Sequence, residues 1–375
     1  GKAPLPADLD FGEIAVNYEK TDPALYIKDS DNIIRKIGGD ATETAKGIVE
    51  LATAAETTTG TDATRAVHPA GLKAALTFTQ AGTGAKPRSY ESKLRDVVSV
   101  EDFGAVGDGV ADDTAAIQAA IDATQGTGKT LVIPNGTYKL SSGGTWTLPY
   151  VGGVRKYGLL VTGRLHIVLE GTISFPVDAA SAFNPFLFRQ VEDSSISGGS
   201  FVASNPASHA RTLYQGAAVI FDRCKNCRAK EISITDAIGG VLIFQCTNCT
   251  IEGCYYSRTV TTQENGCAFA CFQGYTCSIE GCTTYGGTHD GDISLFGEGK
   301  FNSIRECRAH SFKLSDPTET PTLTGAQGIC VDSSQSDATV ESCYAQGYYY
   351  GIDVKTNISN CLVTNNTVYK NKVGI

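Results

Sequence analysis

The sequence reads Cys-Thr-Ile-Glu-Gly-Cys at residues 249–254 and returns as Cys-Ser-Ile-Glu-Gly-Cys at residues 277–282. Related segments follow further along the chain, each with one β-branched residue near its centre. These central residues are 28, 25, 36 and 23 positions apart, and they are Ile251, Ile279, Ile304, Val340 and Val363. A short strand that recurs about every 20–30 residues, with insertions of variable length, is typical of a solenoid whose coils stack on one another.

The residue that ends each segment is predicted to stack into a ladder inside the solenoid. It is cysteine in four coils and asparagine in the last: Cys254, Cys282, Cys307, Cys343 and Asn366. Cysteine suits this position because it is small, apolar and readily buried. The chain has 13 cysteines, an odd number, and no export signal, which favours free thiols over disulfides. The pairs Cys224/Cys227 and Cys246/Cys249 have zinc-ligand spacing, and a zinc site is the less favoured alternative.

A second apolar strand lies between successive segments, at residues 240–244, 266–269, 292–295, 328–331 and 351–354. Strict alternation along these strands predicts one set of side chains inside the solenoid, namely Ile293, Leu295, Ile329, Val331, Ile352 and Val354. It predicts another set outside, on one face, namely Asp292, Ser294, Asp332, Asp353 and Lys355.

Upstream of the repeat, residues 102–123 read DFGAVGDGVADDTAAIQAAIDA, and a buried-type strand follows at Thr130–Ile133. Asp112-Asp113-Thr114 predicts the start of a helix, and apolar residues follow at helical spacing. This segment resembles the opening of the pectate-lyase-like β-helix superfamily and of many phage tailspikes. The resemblance implies a right-handed parallel β-helix whose N-terminal end is covered by the helix. Without that cover, apolar interior and unpaired strand edges would be exposed.

Residues 1–40 alternate apolar and polar residues over three short segments separated by turns, which predicts a small β module. Three short strands bury too little apolar surface to be stable alone, so copies of the module or another protein should complete it. Residues 9–39 resemble the N-terminal modules of phage receptor-binding and tail proteins, in particular the major tropism determinant N-terminal type. Residues 41–76 resemble the phage tail-fibre repeat, KGIVELAT…GTDATRAVTPAGL, with His68 in place of the usual Thr. These resemblances imply a homotrimer that attaches to other virion tail proteins through residues 1–40.

We therefore predict an all-β protein, a right-handed parallel β-helix with a small N-terminal β module and one capping α-helix, assembled as a trimer. Its predicted segments are a virion-attachment module (1–40), a tail-fibre repeat and linker (41–95), an N-terminal cap of the β-helix (96–145) and the parallel β-helix (146–375). The sequence stops at Ile375 inside what resembles a coil, so we expect the gene product to continue or another chain to cover the end.

Composition restricts the class of partner. The 41 glycines and a charged fraction of only 19% favour turn-rich β structure. A net charge of −9 argues against nucleic acid or an anionic membrane as the main partner. The sequence has no apolar run that would span a bilayer and no hydrophobic signal region at its start. We therefore expect no membrane insertion, assembly in the host cytoplasm and a final location in the phage tail.

Two segments carry weak signals for small ligands. Residues 123–130 (ATQGTGKT) partly match a phosphate-binding loop, but a helix precedes them and a strand follows, the reverse of the order that phosphate binding needs. Residues 108–113 cluster carboxylates but lack the rest of a calcium-binding loop. We therefore expect no cofactor and no metal.

Carboxylates on the outer face are the candidate catalytic groups: Asp290, Asp292, Asp332 and Asp353. Glycoside hydrolysis usually needs two carboxyl groups, about 5–5.5 Å apart for retention and about 6.5–9.5 Å apart for inversion. Coils about 4.8 Å apart can supply either separation. The candidate substrate-binding residues are His289, Tyr348, Tyr349, Tyr350 and Lys355. The alternatives are solvated aspartates without a role and tyrosines that only pack in turns.

These features predict a tailspike that recognises, and is expected to depolymerise, a bacterial surface polysaccharide (lipopolysaccharide O-antigen or capsule) as a glycosidase or lyase. A spike that binds without catalysis is the alternative. The polygalacturonase pattern of an Asp pair followed by Gly-His-Gly and Arg-x-Lys is missing, and Arg305 and Arg308 have no convincing acidic set around them. A free secreted pectinolytic enzyme is disfavoured by the phage-like residues 1–76.

Overall fold

The computed structural model describes residues 3–18, 24–37, 51–60, 65–67, 69–147, 154–176, 183–204, 216–259, 266–286, 291–311, 326–355 and 357–375. The chain divides into two compact units, Gly1–Arg95 and Asp96–Ile375. Among the helices in these ranges, none has the length and apolar character needed to cross a membrane.

The first unit begins with a three-stranded antiparallel sheet. Its strands are β1 (Ile14–Asn17), β2 (Ala24–Lys28) and β3 (Ile34–Ile37). Ile14 opposes Ile27 across one face, and Val16 opposes Leu25, which in turn opposes Ile37. Four of these five side chains (all except Ile27) are exposed, so the face presents apolar surface that the described part of the module does not cover. Completion of this module by other chains stays a prediction.

The remainder of the first unit consists of short elements. They are α1 (Ala54–Thr59), α2 (Pro69–Ala75), β4 (Thr77–Phe78), β5 (Arg88–Ser89) and α3 (Tyr90–Leu94). A capping box starts α1, in which Thr53 Oγ1 accepts from the Glu56 N–H and the Glu56 carboxylate accepts from the Thr53 N–H. Residues 41–50, the start of the predicted tail-fibre repeat, lie outside the described residues.

The second unit is a parallel β-helix of three sheets, to which successive coils contribute one strand each, and Gly144–Thr147 adds an antiparallel strand at the edge of the first sheet. The first sheet contains β10 (Gly144–Thr147), β11 (Val154–Val161), β14 (Phe183–Arg189), β17 (Ala217–Asp222), β20 (Gly239–Phe244), β23 (Phe269–Phe272), β26 (Ile293–Phe296), β30 (Gln327–Val331) and β34 (Tyr350–Val354). The second sheet contains β6 (Val97–Ser99), β8 (Thr130–Ile133), β12 (His166–Leu169), β15 (Ser195–Ser197), β18 (Arg228–Lys230), β21 (Thr250–Glu252), β24 (Ser278–Glu280), β28 (Ser303–Arg305), β32 (Thr339–Glu341) and β35 (Leu362–Thr364). The third sheet contains β7 (Asp108–Asp112), β9 (Thr137–Lys139), β13 (Thr172–Phe175), β16 (Ser200–Ala203), β19 (Ser233–Thr235), β22 (Tyr255–Ser257), β25 (Thr283–Tyr285), β29 (Arg308–His310), β33 (Tyr344–Gln346) and β36 (Thr367–Tyr369). A small additional pair is formed by β27 (Gly299–Lys300) and β31 (Gln335–Ser336). The predicted solenoid is confirmed.

The repeated motif forms the second sheet and the corner after it. Its central residues align from coil to coil and point inward, and Ile251, Ile279, Ile304 and Val340 are fully buried. The residue after each strand takes a left-handed conformation, with φ near +60° at Gly253 and Gly281. Glycine adopts this conformation without the strain that a Cβ adds, which explains its place in the motif.

Buried cysteines make hydrogen bonds between coils as well as filling space. The Cys227 N–H donates to Cys249 Sγ at 3.3 Å, and the Cys249 N–H donates to Cys277 Sγ at 3.5 Å. In the next coil Asn302 takes the same position, and its Oδ1 accepts from the Cys277 N–H at 2.9 Å. The thiol therefore supplies an acceptor for a backbone donor just outside the sheet ladder.

The predicted cysteine ladder is present in the second corner, where Cys254, Cys282, Cys307 and Cys343 are buried. Asn366 completes it, because its Oδ1 accepts from the Cys343 N–H at 2.8 Å and its Nδ2 donates to the Val340 carbonyl. All 13 cysteines are free thiols.

One helix, α4 (Thr114–Thr124), packs on the N-terminal end of the β-helix, after a 3-10 turn at Val100–Phe103. Its inward side chains Ile117, Ala120 and Ile121 are fully buried, which confirms the predicted cap. The carboxylate of Asp112 accepts from the Thr114 N–H and from Ser141 Oγ. Although burial opposes the shift, these hydrogen bonds lower the pKa of Asp112 to about 2.

Removal of one thiol acceptor should weaken the β-helix without abolishing it. We expect Cys249→Ala to lower the free energy of unfolding by about 1–3 kcal/mol, because it leaves the buried Cys227 N–H unpaired and opens a small cavity. Ala338 occupies the position of Cys249 in a later coil and is fully buried, so the fold accommodates alanine there. Urea denaturation gives the value, with Cys361→Ala at a half-buried position as the control. Equal losses in the two variants would contradict the role of the thiol as acceptor.

Candidate functional site

Two of the predicted carboxylates lie close together on the outer face of the first sheet. Asp353 is aligned with Cys330 of the preceding coil, and Asp332 and Lys355 follow the aligned pair Val331 and Val354. Lys355 Nζ donates to Asp332 Oδ2 at 2.9 Å. We call Asp332, Asp353 and Lys355 the acid–lysine cluster. The structure brings these three predicted residues together on the face where alternation placed them.

Asp353 is the half-buried member of the cluster. Burial raises its pKa, the Lys355 ammonium opposes this shift, and the negative charge of Asp332 adds to it. Gln327 Nε2 donates to Asp353 Oδ2 at 2.9 Å and so fixes the orientation of the carboxyl group. Asp353 is therefore the group in this cluster that holds a proton more readily than an ordinary aspartate does.

Gln327 also contributes an unused acceptor. Its side chain is 7% exposed, and its Oε1 has no hydrogen-bond partner in the part of the chain that the structure describes. A buried acceptor without a donor costs free energy, and such groups need a physical explanation. A hydroxyl group bound beside Asp353 would supply the missing donor.

Lys355 joins the two carboxylates electrostatically. Although partial burial opposes the shift, the hydrogen bond with Asp332 and the negative charges of Asp332 and Asp353 raise the pKa of Lys355. Asp332 also accepts from Ser333 Oγ at 2.8 Å. The cluster thus contains one ion pair and one neighbouring carboxyl group with a different environment.

The prediction that Asp292 faces outward is wrong. Its side chain is 1% exposed and accepts from Thr284 Oγ1 at 2.8 Å and from the Tyr348 hydroxyl. The strand β26 begins only at Ile293, so the period-two alternation does not extend back to Asp292, which lies at the corner. Ser294 does lie within the strand, but it is fully buried rather than exposed.

The prediction that Tyr348 contacts substrate is also wrong. Its ring is fully buried in the core of the β-helix, and burial raises its pKa well above the usual range. Tyr349 and Tyr350 are half-buried with ring centroids 4.8 Å apart, and Lys372 Nζ lies 4.4 Å from the Tyr349 ring. Tyr350 is aligned with Gln327, which places it next to the cluster. Substrate binding by Tyr349 and Tyr350 stays a prediction, and His289 and Asp290 lie outside the described residues.

A phenylalanine stack on the same face was missed by the sequence analysis. Phe244, Phe272 and Phe296 end three successive strands, and their ring centroids are 4.7 and 5.0 Å apart with nearly parallel planes. The next residue in this column is Asp332. Phe244 and Phe272 are buried and Phe296 is half-buried, so Phe296 is the exposed end of the stack beside the cluster. The sequence signal for this stack was the recurrence of Phe at the end of these three strands.

A groove of about 640 Å³ crosses the outer face of the second sheet and was also missed. Its lining residues include Arg164, His166, Arg228 and Lys230. Arg228 and Lys230 lie 3.6 and 3.5 Å from the carboxylate of Glu252, and Lys230 also lies 3.3 Å from that of Glu231, so these two cations are largely compensated. Within the described ranges, no group of three or more His, Cys, Asp or Glu side chains is arranged to hold a metal ion.

Comparisons with known proteins agree with this architecture. The family model described as "Right handed beta helix region" matches residues 217–375, and the one described as "Rhamnogalacturonase A/epimerase, pectate lyase-like" matches residues 97–145. A mutant tailspike protein of E. coli bacteriophage HK620, solved with a hexasaccharide, aligns over 80% of this chain and 62% of its own, with a TM-score of 0.53 and 16% identity. The chain shares the tailspike fold. At this identity the likeness to the tailspike establishes the fold alone.

Matches to curated relatives are confined to a short stretch. A mannuronan C5-epimerase of Azotobacter vinelandii is 61% identical over 46 residues, which are 12% of this chain and 3% of the epimerase. Alginate lyase 7 of the same organism is 56% identical over 46 residues, or 5% of the lyase. The chain therefore corresponds to only a small part of these enzymes, although it shares the tailspike fold over most of its length.

The environment of Asp353 predicts a pH-dependent effect on stability. A carboxyl group whose pKa is raised by folding stabilises the fold fully below its unfolded value of 3.8, and this contribution is lost as the pH rises through the folded value. Because asparagine resembles the protonated form at every pH, Asp353→Asn should raise the unfolding temperature at pH 7. The gain should disappear below pH 3.8. Thermal unfolding across this range is the measurement, with Glu170→Gln at an exposed position as the control. A gain that grows as the pH falls would be the contrary result.

Proposed function

We propose that this protein is a phage tailspike subunit that binds a bacterial surface polysaccharide and cleaves it at the acid–lysine cluster. The observation that carries the proposal is the placement of Asp353 and Asp332 on adjacent coils of one face, where burial raises the pKa of Asp353. Two carboxyl groups in different environments are what acid and base catalysis of glycosidic cleavage requires. The tailspike that shares the fold was solved with a hexasaccharide bound, which supports a saccharide as the ligand.

In the proposed reaction Asp353 is the general acid and Asp332 the general base. Asp353 donates its proton to the oxygen of the leaving sugar, while Asp332 takes a proton from the water that attacks the anomeric carbon. The two residues lie one coil and two strand positions apart, which corresponds to roughly 7–8 Å between their Cβ atoms. That spacing favours inversion, for which the carboxyl groups are about 6.5–9.5 Å apart. Lys355 holds Asp332 in place through their ion pair.

Neighbouring side chains suit a sugar ring. Gln327 Oε1 offers a buried acceptor for a hydroxyl group, and it lies on the residue that already positions Asp353. Phe296 and Tyr350 provide apolar surface beside the cluster. A small number of placed polar groups among apolar and aromatic surface is the common composition of a ligand site.

A spike that binds polysaccharide without cleaving it is the second candidate. The observation that favours it is the ion pair itself, because Asp332 is already bound by Lys355 and Ser333. Ion pairs of this kind also occur in proteins without catalytic function. An assay for released product distinguishes catalysis from simple binding.

Replacement of either carboxylate should abolish most of the cleavage. We expect Asp353→Asn and Asp332→Asn to reduce the release of reducing ends from host envelope polysaccharide by about 10²–10⁴-fold. Asp337→Asn is the matched control, since Asp337 belongs to the same coil but contacts Asn360 and Lys300 at a corner. Ultraviolet absorbance of the products distinguishes an unsaturated lyase product from a hydrolysis product. Absence of cleavage by the unmodified protein would leave binding without catalysis, and cleavage that is unchanged in both variants would exclude this cluster as the catalytic site.

The N-terminal module is proposed to trimerise and to attach the protein to other virion tail proteins. Its exposed apolar face, centred on Val16 and Leu25, supports this role. Val16→Lys should lower the mass of the assembly in light scattering and reduce its incorporation into phage tails, because it buries a charge in the apolar contact. Asp31→Lys, in the exposed turn after β2, is the control. An unchanged mass in Val16→Lys would exclude this face from the contact.

A further inference from the structure

The outer face of the third sheet changes character along the β-helix. From β9 to β19 the outward positions carry small or aliphatic side chains and one lysine: Thr137, Lys139, Thr172, Ser174, Ser200, Val202, Ser233 and Thr235. From β22 onward the same two columns become rich in aromatic residues: Tyr255, Tyr285, His310, Tyr344 and Tyr369. We call these five residues the tyrosine stripe.

Three successive rings of the stripe contact one another, and three of its five rings are exposed. Tyr285 and His310 have ring centroids 5.3 Å apart with an angle of 28° between planes, and His310 and Tyr344 have centroids 5.4 Å apart. Tyr255, Tyr285 and Tyr369 are between 42% and 49% exposed. The five coils are separated by four steps of about 4.8 Å, so the stripe is roughly 19 Å long, which suits an oligosaccharide better than a single sugar.

Packing of the β-helix does not account for these aromatic residues. Ser257, Thr283 and Thr367 occupy the same two columns within the same five coils. The sheet therefore tolerates small polar residues at these positions, and the tyrosines expose apolar ring surface that folding alone does not use. Contiguous exposed surface of this kind usually marks an interaction site.

In the two columns that contain the stripe, the polar side chains are positively charged or neutral. Arg308 lies between Thr283 and Tyr344 in one column, and Lys370 Nζ lies 5.3 Å from the Tyr369 ring. In these five described coils neither column contains an acidic side chain. The second sheet is different, because Arg305 there lies 3.6 Å from the carboxylate of its neighbour Glu341. The protein has a net charge of −9, so this face is a local exception, and its cations favour a negatively charged ligand.

We propose that the tyrosine stripe is a second, non-catalytic binding site for an oligosaccharide that contains acidic sugars. The apolar surfaces of the sugar rings pack on the exposed parts of the tyrosine rings. Arg308 and Lys370 pair with the sugar carboxylates. The site extends the proposed function to the third sheet, and its binding does not require the acid–lysine cluster of the first sheet to be catalytic. The stripe would hold an acidic polysaccharide on the spike independently of cleavage.

The test measures binding by the full chain carrying Asp353→Asn, so that no probe is consumed. The probes are hexamers of mannuronate and of galacturonate, with cellohexaose and maltohexaose as uncharged counterparts, in titration calorimetry. At least one acidic hexamer should bind, and it should bind more tightly than both uncharged probes. Tyr285→Ser and Tyr344→Thr, which copy residues of the same columns, should each weaken that binding roughly tenfold. Arg308→Gln should weaken it and reduce its dependence on salt.

The matched control is Tyr275→Ser, because Tyr275 is 48% exposed but lies at another corner, where it contacts Phe301. Failure of both acidic hexamers to bind would overturn the inference, and so would equal affinities in the stripe variants and the control. If Tyr285→Ser instead changes the mass of the assembly and leaves binding intact, the face joins copies of this chain and the inference is wrong. Stripe-dependent binding without any product release would retain this site and reject the proposed catalysis.

Discussion

The structure depends on the hydrogen bonds that each coil makes with the next. Within the three sheets the parallel ladders pair the backbone of one strand with that of the following coil, and every inward column follows from that register. At the corners the ladders stop, and side chains take over as acceptors. Cys249 Sγ and Asn302 Oδ1 do this at equivalent positions, although one is a thiol and the other an amide. A backbone donor that must be satisfied therefore explains why these two residue types interchange in the repeat.

The same register creates surface columns, and both candidate sites are built from them. Phe296, Asp332 and Lys355 follow one another in one column of the first sheet, although they are far apart in the sequence. Tyr285 and His310 do so in the third sheet. Because each coil sets its neighbour at a fixed spacing, a change of one outward residue alters a single step of a regular surface and leaves the core intact. Because the outward residues vary independently of the core, one β-helix carries different surfaces on its different faces.

The sequence was sufficient for the solenoid, the capping helix and the outward placement of Asp332, Asp353 and Lys355, because each rests on a short-range pattern. It failed at Asp292, since the alternation does not extend back beyond Ile293, and the start of β26 at that residue is not marked in the sequence. It failed at Tyr348 because a tyrosine in a turn region can also face the interior, where it donates to Asp292. The stripe formed by Tyr285, His310 and Tyr344 could not be found before the register was known. Insertions of different length separate its members in the sequence.

Position on the sheet, rather than residue type, distinguishes the two carboxyl groups of the cluster. Asp353 lies inside a strand and beside Gln327, where burial and the neighbouring negative charge both favour the protonated form. Asp332 lies just past the end of its strand, where Lys355 and Ser333 both donate to the carboxylate. A carboxyl group must be ionised to accept a proton in a reaction, while a carboxyl group that resists ionisation is suited to give one. The proposed assignment of acid and base therefore rests on where each aspartate lies relative to the end of its strand.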